Sequence, residues 1–449
     1  MKKLLVFLSL VSIMLGCDQL NDPRPELADA ASEVNGINSS NSFSVLTYNV
    51  AGLPGFLSSG DPEANTATIG GLVNDYDIVH VQEDFNYHAT LYANDNHPHR
   101  TPTSGGVPFG DGLNAMSNFT YTDFQRIKWN DCNGTDCLTP KGFTVARYRI
   151  APGVYIDFYN AHPNASVGEA DLAARRSNIL QLKSFISTFS AGNAVVVMGD
   201  MNCRYTRSGD NIRELPSLGL TDVWVELIKN GVAPAIGSPA LVCDNNVQYG
   251  DPQCEIVDKV FYRGNNFINL AATTFSYEES KFRDENGDML SDHRPIYVQF
   301  DWSLAEDLML SDQFGGPHGF SFSDVNEVPE NPVVQKLFLR AGSRLDQVGV
   351  VLSNGPTLSH GGNGGTYQEL TLNPGEYFNE VQFCQGKKDG HTRIFRAEFK
   401  TNQNRTLAGG NHTNDNITFI APVGWQIVGF HGRSGSEVDK LGVIYAPVN

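Results

Sequence analysis

Six groups of polar residues in this chain stand where apolar segments stop or are interrupted. Asn49 lies in Ser44–Val50, and Gln82-Glu83 follow Asp77–Val81. Asn160-Ala161-His162 follow Val154–Tyr159, and the very apolar Ala194–Met198 breaks into Gly199-Asp200-Met201-Asn202. Asp258 interrupts Ile256–Tyr262, and Ser291-Asp292-His293 precede Arg294–Phe300. A lone Asp is usually a cap and a lone His a core or surface group. Six such pieces beside the strands of one domain read as a site, because open sheets bind ligands at strand ends. Carboxylate and amide oxygens suit a hard cation, and Mg²⁺ is usually held by one or two carboxylates plus substrate phosphate. Glu83 would hold that ion, with Asn49 and Asp292 near it. His293 would be the general base toward a water, with Asp258 orienting its other ring nitrogen. Asp200 and Asn202 would aim the water and bind a phosphate oxygen. His162 would donate to the same phosphoryl group as charge grows there, while the ion neutralises the remaining oxygens and the leaving group.

The elements that must carry these residues are legible as patterns. From Phe43 to about Trp302, short apolar runs alternate with helical stretches. Ile179, Leu182, Ile186 and Phe189 keep a 3.6-residue period and mark an amphipathic helix. Strands and helices mixed in this way predict sheet layers faced by helices. After Trp302 the texture becomes Gly-rich and strand-rich. Within it, Arg340-Ala341-Gly342-Ser343-Arg344-Leu345-Asp346-Gln347-Val348-Gly349-Val350 is echoed by Arg433-Ser434-Gly435-Ser436-Glu437-Val438-Asp439-Lys440-Leu441-Gly442-Val443. An echo of this kind predicts a pseudo-symmetric all-β architecture.

The chain has 449 residues, enough for two or three domains, and its acids outnumber bases 50 to 32, giving a formal charge of −18. With 40 % apolar residues it is not a disordered, collagenous or coiled-coil chain. The acid excess weighs against a protein that holds long nucleic acid by bulk charge. Lys2-Lys3, the apolar run Leu4–Leu15 and Gly16-Cys17 read as an export signal of residues 1–17. Its Cys17 is similar to the lipidated Cys of a bacterial lipobox. Residues 18–41 are polar and read as a tether. The expected location is therefore outside the cytoplasm, lipid-anchored to a bacterial envelope or secreted. In an oxidising compartment Cys132/Cys137 and Cys243/Cys254 are the natural disulfide pairs, leaving Cys203 and Cys384 unpaired. A metal knuckle at Cys132/Cys137 is the alternative, without a second Cys/His pair at zinc spacing.

Tyr48-Asn49-Val50, Gln82-Glu83, His162, Gly199-Asp200-Met201-Asn202 and Ser291-Asp292-His293, in this order, resemble the motif set of the endonuclease/exonuclease/phosphatase superfamily, the deoxyribonuclease-I-like fold. The resemblance implies an α/β fold, a four-layer α/β sandwich over residues 42–302, and Mg²⁺-dependent phosphoester hydrolysis. It assigns the metal to Glu83, the general base to His293, its partner to Asp258, and phosphate contacts to His162, Asp200 and Asn202. Asn49–Pro54, Gly110–Asn114 with Ser117, Asp136–Phe143 and Ala174-Arg175-Arg176 are similar to the neutral sphingomyelinase branch. Departures are Ala51, where nucleases often carry Asp, Lys259 after Asp258, and Pro163-Asn164 after His162.

Gly315-Gly316, Ser323-Asp324, His360–Gly365 and Val428–Gly435 resemble a jacalin-type lectin, which implies an all-β β-prism over residues 311–449, joined through a linker at 303–310. That family binds sugar on a Gly-x-x-x-Asp loop, whose Asp accepts from sugar hydroxyls while backbone N–H groups donate. The resemblance places such a loop at Gly435, Ser436, Glu437, Val438 and Asp439, with Gly315 beside it. Gly342 and Asp346 are a candidate second site. Together these expectations describe an exported phosphodiesterase acting on a phospholipid headgroup, held to a membrane by its N-terminal lipid and to a glycan by its lectin module. The competing readings are an extracellular nuclease or sugar/inositol-phosphate phosphatase on the same site, and a non-enzymatic glycan adhesin.

Overall fold

The structure is a computed structural model that describes residues 41–55, 61–106, 110–243 and 251–448. The export signal, Cys17 and almost all of the expected tether lie outside the described residues. Twelve strands build the first half in two six-stranded sheets. They are β1 (Asn41–Asn49), β2 (Ile78–Gln82), β3 (His99–Arg100), β4 (Asn114–Ser117), β5 (Tyr121–Lys128) and β6 (Gly142–Ala151). There follow β7 (Val154–Ala161), β8 (Ala194–Asp200), β9 (Thr221–Asp222), β10 (Asp258–Arg263), β11 (Ile268–Tyr277) and β12 (Ile296–Leu304). The sheet orders are β11-β12-β1-β2-β4-β3 and β5-β6-β7-β8-β10-β9.

Period-2 geometry explains the layers. Phe43 and Val45 of β1 join the core shared with the second sheet, while Leu46 and Tyr48 join a cluster with Ile69, Val73 and Leu91 of the helical layer. In β2, Ile78 faces the second sheet, and Val79 and Val81 face the helices. Strands covered on both faces read as continuous apolar runs, which is why these were visible in the sequence. Phe43 meets Phe158 of the other sheet at 5.9 Å between ring centroids. Helices Pro62–Leu72 and His88–Asn94 cover the first sheet. Helix Glu169–Phe189 covers the second, burying Ile179, Leu182 and Ile186 as its periodicity predicts. The result is helix, sheet, sheet, helix: the expected four-layer sandwich.

The second half is all β, with sheets of five, four and four strands around one apolar interior. Each sheet is centred on a hairpin: Trp425–Ser434 with Val438–Pro447, Val334–Ala341 with Leu345–Leu352, and Phe378–Lys388 with His391–Thr401. The first two carry the sequence echo, and their loops share one hydrogen bond: Gly435 N–H to Glu437 C=O at 2.9 Å, Gly342 N–H to Arg344 C=O at 3.1 Å. The third turns on Asp389-Gly390 and left no echo.

The segment expected as a linker at 303–310 is strand at both ends. Strand β12 runs through Leu304, and Met309–Leu310 pairs with Ile444 and Tyr445. The halves are then locked by charge. The Asp312 carboxylate accepts from Arg149 at 2.7 and 3.0 Å, the Tyr155 hydroxyl at 2.7 Å and Gly153 N–H at 3.0 Å. Buried Asp123 meets Lys440 at 2.8 Å and the guanidinium groups of Arg147 and Arg433 at 3.6 Å. Both arginines lie over the Phe189 ring, at 5.7 and 5.4 Å.

Candidate active site

Strand register brings the polar strand ends to one end of the sandwich. Strands β1 and β2 run parallel and finish together, Asn49 opposite Gln82. Strands β7 and β8 do the same, Ala161 opposite Gly199, so His162 and Asp200 emerge side by side. Strand β10 runs antiparallel to β8 and starts with Asp258 opposite Asp200. Strand β12 runs antiparallel to β1 and begins opposite Thr47, which puts the preceding Ser291-Asp292-His293 turn at the same end. A cross-sheet hydrogen bond, Gln82 Nε2 to Asn160 Oδ1 at 2.8 Å, ties the two sheets beneath the site.

The side chains form a chain of contacts. Asp258 receives His293 Nδ1 at 3.0 and 3.2 Å, which leaves Nε2 facing Asp200 Oδ2 at 3.8 Å and Asn49 Nδ2 at 3.4 Å. Asp200 Oδ2 also lies 3.4 Å from His162 Nε2 and accepts from Asn49 Nδ2 at 3.1 Å. Its Oδ1 takes the Asn202 N–H at 2.9 Å. Glu83 Oε1 lies 3.7 Å from His162 Nε2. Two groups have ligand atoms all within 4.8 Å of one another: Glu83, His162 and Asp200, and Asp200, Asp258 and His293. Glu83 and Asn202 both sit in the left-handed region, φ 58° and 51°. Strained conformations of this sort concentrate at functional sites. Gly52 makes room for the turn at Glu83, since a Cβ there would lie 2.6 Å from the Glu83 carbonyl oxygen.

Electrostatics follow from burial and pairing. Burial opposes the charged form of Asp200, yet the His293 and His162 rings hold its carboxyl far below the usual range. Burial likewise opposes a charged His293, but the Asp258 and Asp200 carboxylates hold the ring well above the usual imidazole value. Asp258 itself is pushed up, chiefly by burial and with Asp200 adding to it.

Of the three residues expected around the metal, Glu83 stands in the first group, with its side chain 22 % exposed. Among the described residues its carboxylate accepts no hydrogen bond, so its lone pairs are free for a hard cation, and the donor set fits one. Asn49 stands differently: its Oδ1 is engaged by Ala51 N–H at 3.0 Å, and it turns its Nδ2 to Asp200 and His293. Asp292 is exposed, belongs to neither group, and has its carboxylate 3.5 Å from Ser291 Oγ.

Other contributors carried no assigned role in the sequence. Lys141 Nζ reaches within 3.2 Å of His162 Nε2 and pairs with Asp136 at 2.5 Å. A buried Lys just before a strand was the available signal. Arg175, buried in helix Glu169–Phe189, holds the carbonyls of Asn164, Ala165 and Ser166 and pairs with Asp210. It thereby fixes the loop after His162. Cys132–Cys137 and Cys243–Cys254 are bonded, and Cys203 and Cys384 are free and buried.

In the second half, Gly315 pairs opposite Lys440, and Gly316 N–H donates to the Asp439 carbonyl at 2.8 Å. The Asp439 side chain is fully buried and ion-paired with Arg393. Glu437 pairs with Arg344 at 2.7 Å and Lys388 at 2.6 Å, which holds its carboxyl down to about 2. Of the rest of that loop, Ser436 is exposed and Val438 buried. The Gly342 loop is open by comparison: Gly342 is exposed and donates its N–H to half-buried Asp346 at 3.2 Å.

Residues 71–248 match the Endonuclease/Exonuclease/phosphatase family 2, and residues 311–444 match the Jacalin-like lectin domain. The chain thus carries an endonuclease/exonuclease/phosphatase domain followed by a jacalin-like lectin domain. A sphingomyelinase of Mycobacterium bovis is 37 % identical over 271 residues, covering 58 % of this chain and 53 % of that protein. The chain thus spans about half the length of the curated sphingomyelinases it matches. Jacalin-related lectin 22 of Arabidopsis thaliana is 33 % identical over 95 residues, 20 % of either chain. Among solved structures, Staphylococcus aureus beta toxin aligns with 57 % of this chain and 99 % of its own, at 16 % identity and a TM-score of 0.41.

Proposed function

We propose that the protein is an exported, Mg²⁺-dependent phosphodiesterase that cleaves the headgroup of a phospholipid, sphingomyelin first, with a lectin module for a glycan. The observation that carries this reading is the unbroken side-chain path Asp258, His293, Asp200, His162, Glu83 at one end of the sandwich. The 37 % identity to a sphingomyelinase supports the choice of substrate.

His293 donates Nδ1–H to Asp258, so Nε2 is the atom that takes a proton from the attacking water. Asp200, held charged by its two histidines and fixed by Asn49 and the Asn202 backbone, orients that water. Lys141, 3.2 Å from His162 Nε2, supplies a positive charge at this end of the site, suited to phosphoryl oxygens as they gain charge. Asn202 reaches Pro163 C=O at 3.2 Å, tying the phosphate-binding loops to each other. Glu83, with substrate oxygens, would hold the divalent ion, which when bound neutralises phosphoryl charge and the leaving group. The lectin reading rests on the two Gly-x-x-x-Asp loops. The closed Asp439 and the open Asp346 make Gly342–Asp346 the better candidate for sugar.

The test is a panel of sphingomyelin, phosphoinositides, DNA and RNA, each with and without chelator. Release of phosphocholine from sphingomyelin that chelator abolishes is the expected result. Digestion of DNA or RNA with no phosphocholine released would replace this reading by the nuclease one.

A further inference from the structure

We propose that Tyr367 is the platform of a second sugar subsite, continuous with the open Gly342–Asp346 loop, so that the lectin module grips an oligosaccharide rather than a single sugar. The proposal rests on the lectin reading above and adds the length of glycan which that site takes.

Two glycines join the loop to the ring. Gly364 and Gly365 lie against the Asp346 carboxylate, where a Cβ would come within 2.6 and 2.5 Å of its two oxygens. A side chain at either position would push the carboxylate aside, so the glycines keep it within reach of a ligand. Tyr367 follows two residues later, in strand Thr366–Thr371, with its Cα about 7 Å further along the chain. That strand pairs with Val334–Ala341, Tyr367 opposite Arg340, and Arg340 in turn lies opposite Gln347, the neighbour of Asp346. With adjacent strands about 4.8 Å apart, Tyr367 and Gln347 are separated by about 10 Å at one end of the sheet, a span for a short oligosaccharide.

The ring is exposed but held. Tyr367 is 43 % exposed. Its hydroxyl donates to Glu369 Oε2 at 2.6 Å, the Arg340 guanidinium lies 5.8 Å from its centroid, and the Phe338 ring packs at 5.7 Å. Arg340 is itself fastened to the Gly365 carbonyl at 3.2 Å. Period-2 alternation explains the arrangement. Leu337, Leu339 and Ala341 join the core, while Lys336, Phe338 and Arg340 turn to the outer face with Tyr367 and Glu369. A ring fixed before the ligand arrives loses little further freedom on binding.

The surroundings select the occupant. Phe338 is only 8 % exposed, so the apolar surface is one ring wide, too small for a protein partner. Polar groups border it: Arg340 on one side, and on the other Glu369, which also accepts from Lys336 at 2.6 Å. Both of those bonds use Glu369 Oε2, and among the described residues Oε1 accepts none. A pyranose matches this pattern, with one apolar C–H face to cover the ring and a rim of hydroxyls to meet the carboxylate and the cations.

The test titrates the full chain, by calorimetry, with methyl glycosides of mannose, glucose, galactose and N-acetylglucosamine and with a linear trisaccharide of each. In the series that binds, wild type should hold the trisaccharide about tenfold more tightly than the methyl glycoside, the worth of one apolar sugar face covering the ring. Tyr367→Ala should lose that gain and bind the methyl glycoside as wild type does. Tyr367→Phe, which keeps the ring, should keep the gain. Asp346→Ala should lose both ligands. A wild-type trisaccharide that binds no tighter than the glycoside, or a Tyr367→Ala variant that retains the gain, overturns the subsite. So does a Tyr367→Ala variant that loses glycoside binding equally, because the ring is then structural, and so does a wild-type dimer in solution that this variant dissolves. Binding in none of the four series sinks the lectin reading and the subsite with it. Glycoside binding without a trisaccharide gain sinks the subsite alone, so the two failures are distinguishable.

Discussion

In the proposed mechanism His293 is the general base, and its neighbours set the pH at which it would work. A general base must be neutral, whereas Asp258 and Asp200 favour the protonated ring. Activity should therefore rise with pH along a limb displaced to the alkaline side of an ordinary imidazole. Asp258→Asn removes a neighbour that raises the ring, so the limb should move toward acid while the plateau drops; a kcat/KM profile of both forms decides it. His293→Ala should cost about a hundredfold or more in kcat/KM, the usual worth of a positioned base. Glycan binding, measured on the same sample, should stay. If glycan binding falls equally, the variant has damaged the whole molecule rather than the site. At this scale the sequence was most informative about residue types and least about their orientation. Asn49 is at the site, but which end of its amide faces inward depends on the Ala51 N–H, and no motif records that contact. Asp292 and His293 are adjacent in sequence, yet only the His joins the buried groups.

The strands explain why the site could be read at all. Asn49, Glu83, His162, Asp200 and Asp258 each lie at the end of a run buried on both faces, where an apolar pattern visibly stops. Parallel pairing of β1 with β2 and of β7 with β8 then makes their ends coincide. Strands β4, β5, β6 and β11 carry more alternating or polar sequences and were largely missed, because their exposure is set by which neighbour covers them. The third hairpin of the β-prism was hidden for a related reason: its two-residue turn does the work of the longer loops with other residues. The loop Cys132–Cys137 presents Asp136 to Lys141, and Lys141 to His162. Replacing both cysteines by Ser should lower stability by about 2 kcal/mol on loop-closure arithmetic. Turnover should fall more than that loss explains, because Lys141 is released as well. Thermal unfolding and kcat on the same variant separate the two effects.

At the scale of the molecule, acid should loosen the fold in two stages. His80 and His431 are pushed down to about 3, both by burial and His431 also by nearby Arg147. The unfolded chain takes up these protons near pH ~6.5 and the folded one does not, so their stabilisation is complete above that value and drains away as pH falls toward about 3. Asp123 adds a later loss: burial disfavours its charge, but Lys440, Arg147 and Arg433 hold its carboxyl low, so its share disappears only below about pH 4. Urea unfolding at about pH 7, 5.5 and 4 should show the midpoint falling at each step. Lys440→Met should cost about 3–5 kcal/mol, because it leaves buried Asp123 with less compensation. The same interface has a practical corollary for anyone dissecting the protein. A cut between Leu304 and Met309 would not yield two independent parts. One fragment would carry Arg147, Arg149 and Asp123, and the other Asp312, Arg433 and Lys440, each with its counter-charges left on the missing piece. Inactivity of an isolated catalytic fragment would then report an orphaned surface rather than a need for sugar, and the lectin's contribution is better measured by point changes in its loops.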